Sequence, residues 1–177
     1  MEIDPKTAAA VGFPKTRYAI VERERRWLCR EIPMDRVVSG ERITDLYVTG
    51  TQLRLREAVP LDGRPAARRL GKKGDVSPAV RLLTSIYLSE KEHDLLAAMP
   101  GQTLRKVVYK LTPEHGVSMS IDRFEGALEG LIMAEVEFDD MESLRAFPGP
   151  AFAEREVTDD PRYNGGTLAH EGLPDPR

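Results

Sequence analysis

The chain has 177 residues, enough for one domain with a substantial core and short for two. At 41% hydrophobic and 31% charged it has the composition of a soluble globular protein, with charge above the usual quarter of residues. Its 26 basic residues are balanced by 29 acidic ones; the net charge of −3 argues against a general nucleic-acid binder but leaves room for a local basic site.

Residues 1–15, punctuated by Pro5, Gly12 and Pro14, read as a loose leader. No basic region precedes an apolar core there, so no signal peptide is expected in this segment. No stretch approaches the ~20 apolar residues of a membrane span, and no membrane partner is expected. A first strand is expected over residues 18–28, where VERERRWL sets Glu22, Glu24 and Arg26 on one face. It ends at the lone cysteine, Cys29, which excludes an internal disulfide, fits a reducing cytoplasm and reads as a buried, inert thiol.

Residues 45–56, DLYVTGTQLRLR, form the next strand candidate, with Gly50 as a bulge or a break. Leu53 and Leu55 go to one face, Arg54 and Arg56 to the other. A polar loop with Gly63 and Pro65 leads to a short basic segment, ARRLGKKG. Residues 80–88 are rich in β-formers, and 104–111 set Lys106, Val108 and Lys110 opposite Val107, Tyr109 and Leu111. In 117–124 Val117, Met119 and Ile121 face away from Ser118, Ser120 and Asp122. In 131–138 Ile132, Ala134, Val136 and Phe138 form an apolar face opposite Glu135 and Glu137.

Helices are fewer. SEKEHDLLAAM opens on a Ser89…Glu92 capping box, DDMESLRAF stops before Pro148, and a third helix begins near Asp160 with Pro161 at its first position. Residues 170–177 read as a flexible tail. The fold class is α+β, with antiparallel strands and a few short helices in one domain over 16–169.

Four strands thus repeat one device, apolar residues on one face and ionised pairs on the other. A wet outer face would explain any single pair. Like charges at i, i+2 repel, however, so two acidic pairs and a basic one are better explained if something compensates them. A closed barrel with the charged faces inward would do so. Carboxylates could gather around a divalent cation while Arg and Lys ring an anion. Oxygen-only ligands suit Mg2+ or Mn2+ better than zinc, and His93, His115 and His170 lack any zinc-site spacing. An anion held by several basic groups and bridged to a metal is most economically a polyphosphate. No GxxxxGK[ST] phosphate loop occurs.

At this point the residues resemble a known family. ERERRWL is similar to the ExExK signature that opens the CYTH domain, the triphosphate tunnel metalloenzyme superfamily. ITDLYVTGTQLRLR resembles the family segment in which an aromatic residue leads into paired arginines. LGKKG holds Lys72 and Lys73, either of which can be the next family lysine, with Lys73 favoured; LRKVVY supplies another at Lys106. SIDRFEGALEGLIMAEVEF resembles the Asp–x–Phe, Gly–x–Leu and paired-glutamate run, and REVTDDPRYNGGTLA the closing block. The resemblance covers about residues 18–169, nearly the whole chain.

The resemblance implies an eight-stranded antiparallel barrel, open as a tunnel, that hydrolyses a small triphosphate with Mg2+ or Mn2+. Glu22, Glu24, Glu135, Glu137 and Glu156 would hold metal. Arg26, Arg54, Arg56, Lys73, Lys106 and Arg162 would contact phosphate. Glu24, Arg26 and Tyr47 would serve the chemistry, Tyr47 by positioning or activating water. The expected partner is a small triphosphate or polyphosphate, in a monomer or homodimer. The chain departs from the pattern where Arg26 replaces Lys, where Leu83 and Ser85 replace two carboxylates, and where Val108 and Gly166 replace basic residues. A catalytically weak protein of the same fold that binds nucleotide or polyphosphate is therefore the alternative. A barrel whose pairs neutralise one another without a ligand is the third reading.

Overall fold

The computed structural model describes residues 3–175. Helix α1 (Pro5–Ala10) is followed by strands β1 (Ile20–Cys29), β2 (Val37–Val48), β3 (Leu53–Pro60), β4 (Ala67–Ser77) and β5 (Val80–Leu88). Then come α2 (Glu90–Leu96), β6 (Gly101–Leu111), β7 (Ser118–Phe124), β8 (Ile132–Glu137), α3 (Met141–Ala146), β9 (Ala153–Glu156) and α4 (Gly165–Glu171). The strands run antiparallel in the order β5-β4-β3-β2-β6-β7-β8-β1-β9, and a further β5–β1 pairing closes the first eight into a barrel. One edge of β1 pairs with β8; the other is shared, Ile20 to Arg23 meeting β5 and Trp27 to Cys29 meeting β9.

Strand periodicity decides which side is the core, and here it is the outside. Trp27, Met119, Ile121, Ala134 and Val136 point outward and are covered by Leu144 and Phe147 of the α3 region. Arg25 anchors that cover. It donates to the carbonyls of Leu144 and Phe147 at 2.9 and 2.6 Å and stacks over Trp27 at 4.9 Å. A second cluster joins inward-facing Leu104, Phe124 and Met133 to Val157, Tyr163 and Leu168, so α4 and the turn before it close one end of the barrel.

The expected loose leader is ordered from Asp4 to Phe13. The Asp4 carboxylate accepts from the N–H groups of Lys6 and Thr7, Pro5 occupies the first turn, and Gly12 follows the helix at φ +87°. Pro5 and Gly12, read as breakers, in fact punctuate a helix. Ala8 and Phe13 pack with Leu82. The first two residues of that leader and the last two of the expected tail lie outside the described residues; His170 and Glu171 end α4.

The expected strand at 45–56 is the turn of a hairpin, broken at Gly50 with φ +73°, and β2 begins well before it. The short basic segment is a full strand, β4. Pro161 starts a single 3-10 turn, and the helix proper is α4. Among the described residues no helix is long and apolar enough to cross a membrane. Cys29 is buried and free, and burial pushes its thiol up to about 11, which leaves it protonated and unreactive.

Candidate active site

The barrel encloses a cavity of about 950 Å³. Its wall includes Glu22, Glu24 and Arg26 of β1, Tyr47 of β2, Arg54 and Arg56 of β3, Lys73 of β4, Lys106 of β6, and Glu135 and Glu137 of β8. Ten of the twelve residues singled out in the sequence therefore share one chamber. Strand parity puts them there, since the residues of each strand among them lie at even spacing and so share one face. In the eight-strand ring β8 lies across from β3 and β1 across from β2. The glutamates of β1 and β8 thus form a wall opposite the arginines of β3. Within it Glu24 is the cross-strand partner of Glu137, and Arg26 that of Glu135.

Most of these charges are already partnered. Glu22 accepts from Lys73 at 2.7 Å and Glu24 from Arg81 at 2.6 Å, while Arg81 also donates to Asp75 at 2.9 Å. Lys106 is ion-paired with Asp122. Arg56 grips Asp45 through two bonds of 2.7 and 2.6 Å, and Arg54 stands 3.8 Å from the same carboxylate. Burial alone would raise Asp45, but Arg56 and Arg54 outweigh it and hold the carboxyl at about 2. Burial likewise opposes ionisation of Glu135, and the opposing charges of Lys106, Lys73, Arg26 and Arg81 hold it well below the usual carboxylate range. Glu135 and Glu137 have no hydrogen-bond or ion-pair partner among the described residues.

Arg26 commits its two terminal nitrogens to the backbone, while its buried Nε has no hydrogen-bond partner among the described residues. Its terminal nitrogens bond the carbonyls of Tyr163 and Thr158 at 3.0 and 3.3 Å, and Nε lies 3.7 Å from Glu24. The planar fork that distinguishes Arg from Lys is used to tie β1 to the segment before α4. The Tyr47 ring packs under α4 so closely that a Cβ at Gly165 would fall 2.1 Å from its hydroxyl oxygen.

Two residues of the expected set do not line the cavity. Glu156 lies on the outside of β1, where it accepts two bonds from Arg25 at 2.8 and 2.7 Å. Arg162 is paired with Asp160 at 2.6 Å, two positions away. Their place in a motif reflects the scaffold, with Glu156 holding β9 beside β1. Sequence reasoning missed Asp45 and Arg69. Asp45 shares inward parity with Tyr47, and Arg69 with Lys73; that period of two was the available signal.

The departures from the family pattern also face inward. Leu83, Ser85, Val108 and Gly166 all line the cavity. Among the described residues no group of three or more His, Cys, Asp or Glu is disposed to hold a metal. What faces the cavity is an oxygen-only set in which Glu135 and Glu137 are unpartnered. That set fits a hard divalent cation held by one or two carboxylates together with ligand oxygens, not one caged by protein alone.

The closed antiparallel tunnel with acidic and basic walls is the fold that the sequence resemblance implied. Comparison with known proteins agrees. The inorganic triphosphatase of Acetivibrio thermocellus is 40% identical over 65 residues, which span 37% of this chain and 40% of that relative. The solved structure of the inorganic triphosphatase NE1496 superposes with a TM-score of 0.59 at 24% identity, over 85% of this chain and 95% of that one. The PH1819 protein from Pyrococcus horikoshii OT3 superposes with a TM-score of 0.54 at 18% identity, over 76% and 92%. No family model matches the sequence.

Proposed function

We propose that the protein is a divalent-metal-dependent triphosphatase acting on a small triphosphate, most simply inorganic tripolyphosphate. The observation that carries this reading is the single chamber with a glutamate wall on β1 and β8 opposite an arginine wall on β3. Hydrolysis of a phosphoanhydride needs charge neutralisation and in-line positioning more than covalent help, and this chamber offers both.

In this reading Arg54, Arg56 and Lys73 hold and orient the phosphate chain, with Lys106 and Arg81 adding positive potential from either side. Glu135 and Glu137 would hold Mg2+ or Mn2+, with Glu22 and Glu24 joining as Lys73 and Arg81 turn to phosphate. The bound metal supplies charge neutralisation and a water acidified for attack. Arg26 keeps β1 fixed against the closed end. Tyr47, wedged under α4, bounds that end and limits how far a ligand enters. The named activities of the two triphosphatases above support the reaction class. The ligand would be a small anion, with neither nucleic acid nor membrane as partner, bound by a monomer or homodimer. Buried, unpaired Cys29 is compatible with the cytoplasm.

The test is phosphate release from tripolyphosphate with Mg2+ or Mn2+, for wild type and Glu135→Gln. The substitution keeps the shape and removes the charge, so turnover should drop on the order of 100-fold, equivalent to about 2.7 kcal/mol. Unchanged turnover in the variant would refute the assignment. The inward Leu83, Ser85, Val108 and Gly166 favour a second reading, a binding protein of the same fold. It predicts that tripolyphosphate raises the melting temperature while no phosphate is released.

A further inference from the structure

Arg69 is a cation of the cavity wall to which the family pattern gives no role. It sits on β4 as the cross-strand partner of Arg56, while Arg54 pairs with Gly71 two positions further along. Arg26, Arg54, Arg56, Lys73, Arg81 and Lys106 each have an acidic or carbonyl partner. Arg69 has no ion pair among the described residues, and its Nε is buried without a hydrogen-bond partner. Burial, with Arg56 and Arg54 close by, depresses its basicity, which records a site where positive charge is crowded rather than compensated.

The absence of compensation has a visible origin. On the neighbouring strand Lys73 faces Leu83, Gly71 faces Ser85 and Arg69 faces Tyr87, so the wall beside β4 lacks the two carboxylates that the resemblance expects there. Val108 and Gly166 meanwhile remove basic groups elsewhere in the same cavity. Positive charge has thus shifted toward the β3–β4 wall. Along β4 the inward row runs from Lys73, bound to Glu22, past Gly71 to Arg69, roughly 13 Å in all. An isolated, half-buried guanidinium is costly unless an anion completes it, and its fork suits the terminal oxygens of a phosphate.

We propose that Arg69 is a substrate-contacting residue that binds the terminal phosphate of a linear phosphoanhydride, beyond the reach of one anchored at Lys73, and so sets a minimum chain length of three phosphates. The proposal rests on the triphosphatase reading and deepens it. A diphosphate held beside the glutamate wall leaves Arg69 unused; a tripolyphosphate engages it.

The experiment compares tripolyphosphate with pyrophosphate, at fixed Mg2+, on wild type, Arg69→Gln and Arg69→Lys, by ligand-induced thermal shift and by titration. Arg69→Gln should weaken tripolyphosphate roughly ten- to a hundredfold, the range of a hydrogen bond to a charged group, and change pyrophosphate by less than about twofold. Arg69→Lys should recover part of the loss. Without ligand Arg69→Gln should melt at or above the wild-type temperature, because a repelled cation is gone, whereas a structural role predicts a lower one. Equal weakening of both ligands, or of neither, overturns the proposal while the triphosphatase reading stands. If tripolyphosphate fails to stabilise the wild type, that reading falls and this one falls with it.

Discussion

Asp45 shows how a single buried residue contributes to the tunnel's acid stability. It is fully buried and its carboxylate receives two bonds from Arg56. Folding lowers it from an ordinary 3.8 to about 2. A depressed carboxyl stabilises the fold above its unfolded value, and that contribution disappears as the pH falls through the folded one. Asp45 therefore contributes about 2 kcal/mol at neutral pH, lost between roughly pH 4 and pH 2. Asp45→Asn should cost about 3 kcal/mol at pH 7, since it strands a buried arginine, and should flatten the stability profile across that acid window. Denaturant titrations at pH 7 and pH 3 check this; a variant as acid-sensitive as wild type would move the effect to another carboxylate. Glu22, Glu24, Glu135 and Glu137 were legible in the sequence because they recur as like-charge pairs at i, i+2 on strands. Asp45 was not. One acid at the head of an apolar run looks like a turn residue, and only the β2–β3 register reveals Arg56 beside it.

At the scale of elements, the same ambiguity hid α1. Its N-cap, its proline in the first turn and its terminal glycine are all present in the sequence, but a six-residue helix offers too little periodicity to outweigh two breakers. Its stability comes from what it covers. Phe13 is 5% exposed, and Gly74 of β4 admits it only because it has no Cβ, which would lie 2.6 Å from the Val11 carbonyl oxygen and 2.9 Å from the Phe13 ring. Lys72 adds a bond of 2.7 Å to the carbonyl of Gly12. Phe13→Ala should cost about 3 kcal/mol. Gly74→Ala should lift the same segment off β4, so the double variant should lose clearly less than the sum of the singles. Strict additivity in a thermal-melt cycle would mean that Gly74 strains β4 itself and leaves α1 seated. β4 was hidden for a related reason, since Gly71 and Gly74 interrupt a run whose remaining residues are mostly basic.

For the whole molecule, the inverted barrel concentrates risk at its closure. A globular sheet is held by an apolar face, but here the inner face is charged and the outer face is covered mainly around β7, β8 and β1. The β2–β6 ladder runs from Val37–Val48 against Gly101–Leu111, whereas the closing ladder pairs only Ile20 to Arg23 with Val80 to Leu83, extended by one backbone bond from Glu24 to Ala79. Inside that seam Glu22 faces Arg81, and Arg81 reaches across to Glu24. The seam is thus the shortest ladder of the barrel and is held by the same charges that would meet phosphate and metal. Local opening follows the fewest buried apolar contacts, so amides of residues 20–23 and 80–83 should exchange hydrogen sooner than those of β2 and β6. Tripolyphosphate with Mg2+ should slow exchange at the seam more than in β2 and β6, because a ligand held by groups on both sides of it opposes separation. Hydrogen exchange with and without ligand reads both effects. A seam as protected as β2 in the free protein would show that the apolar cover of α1 and Phe13 over Leu82, rather than the charged face, carries the closure.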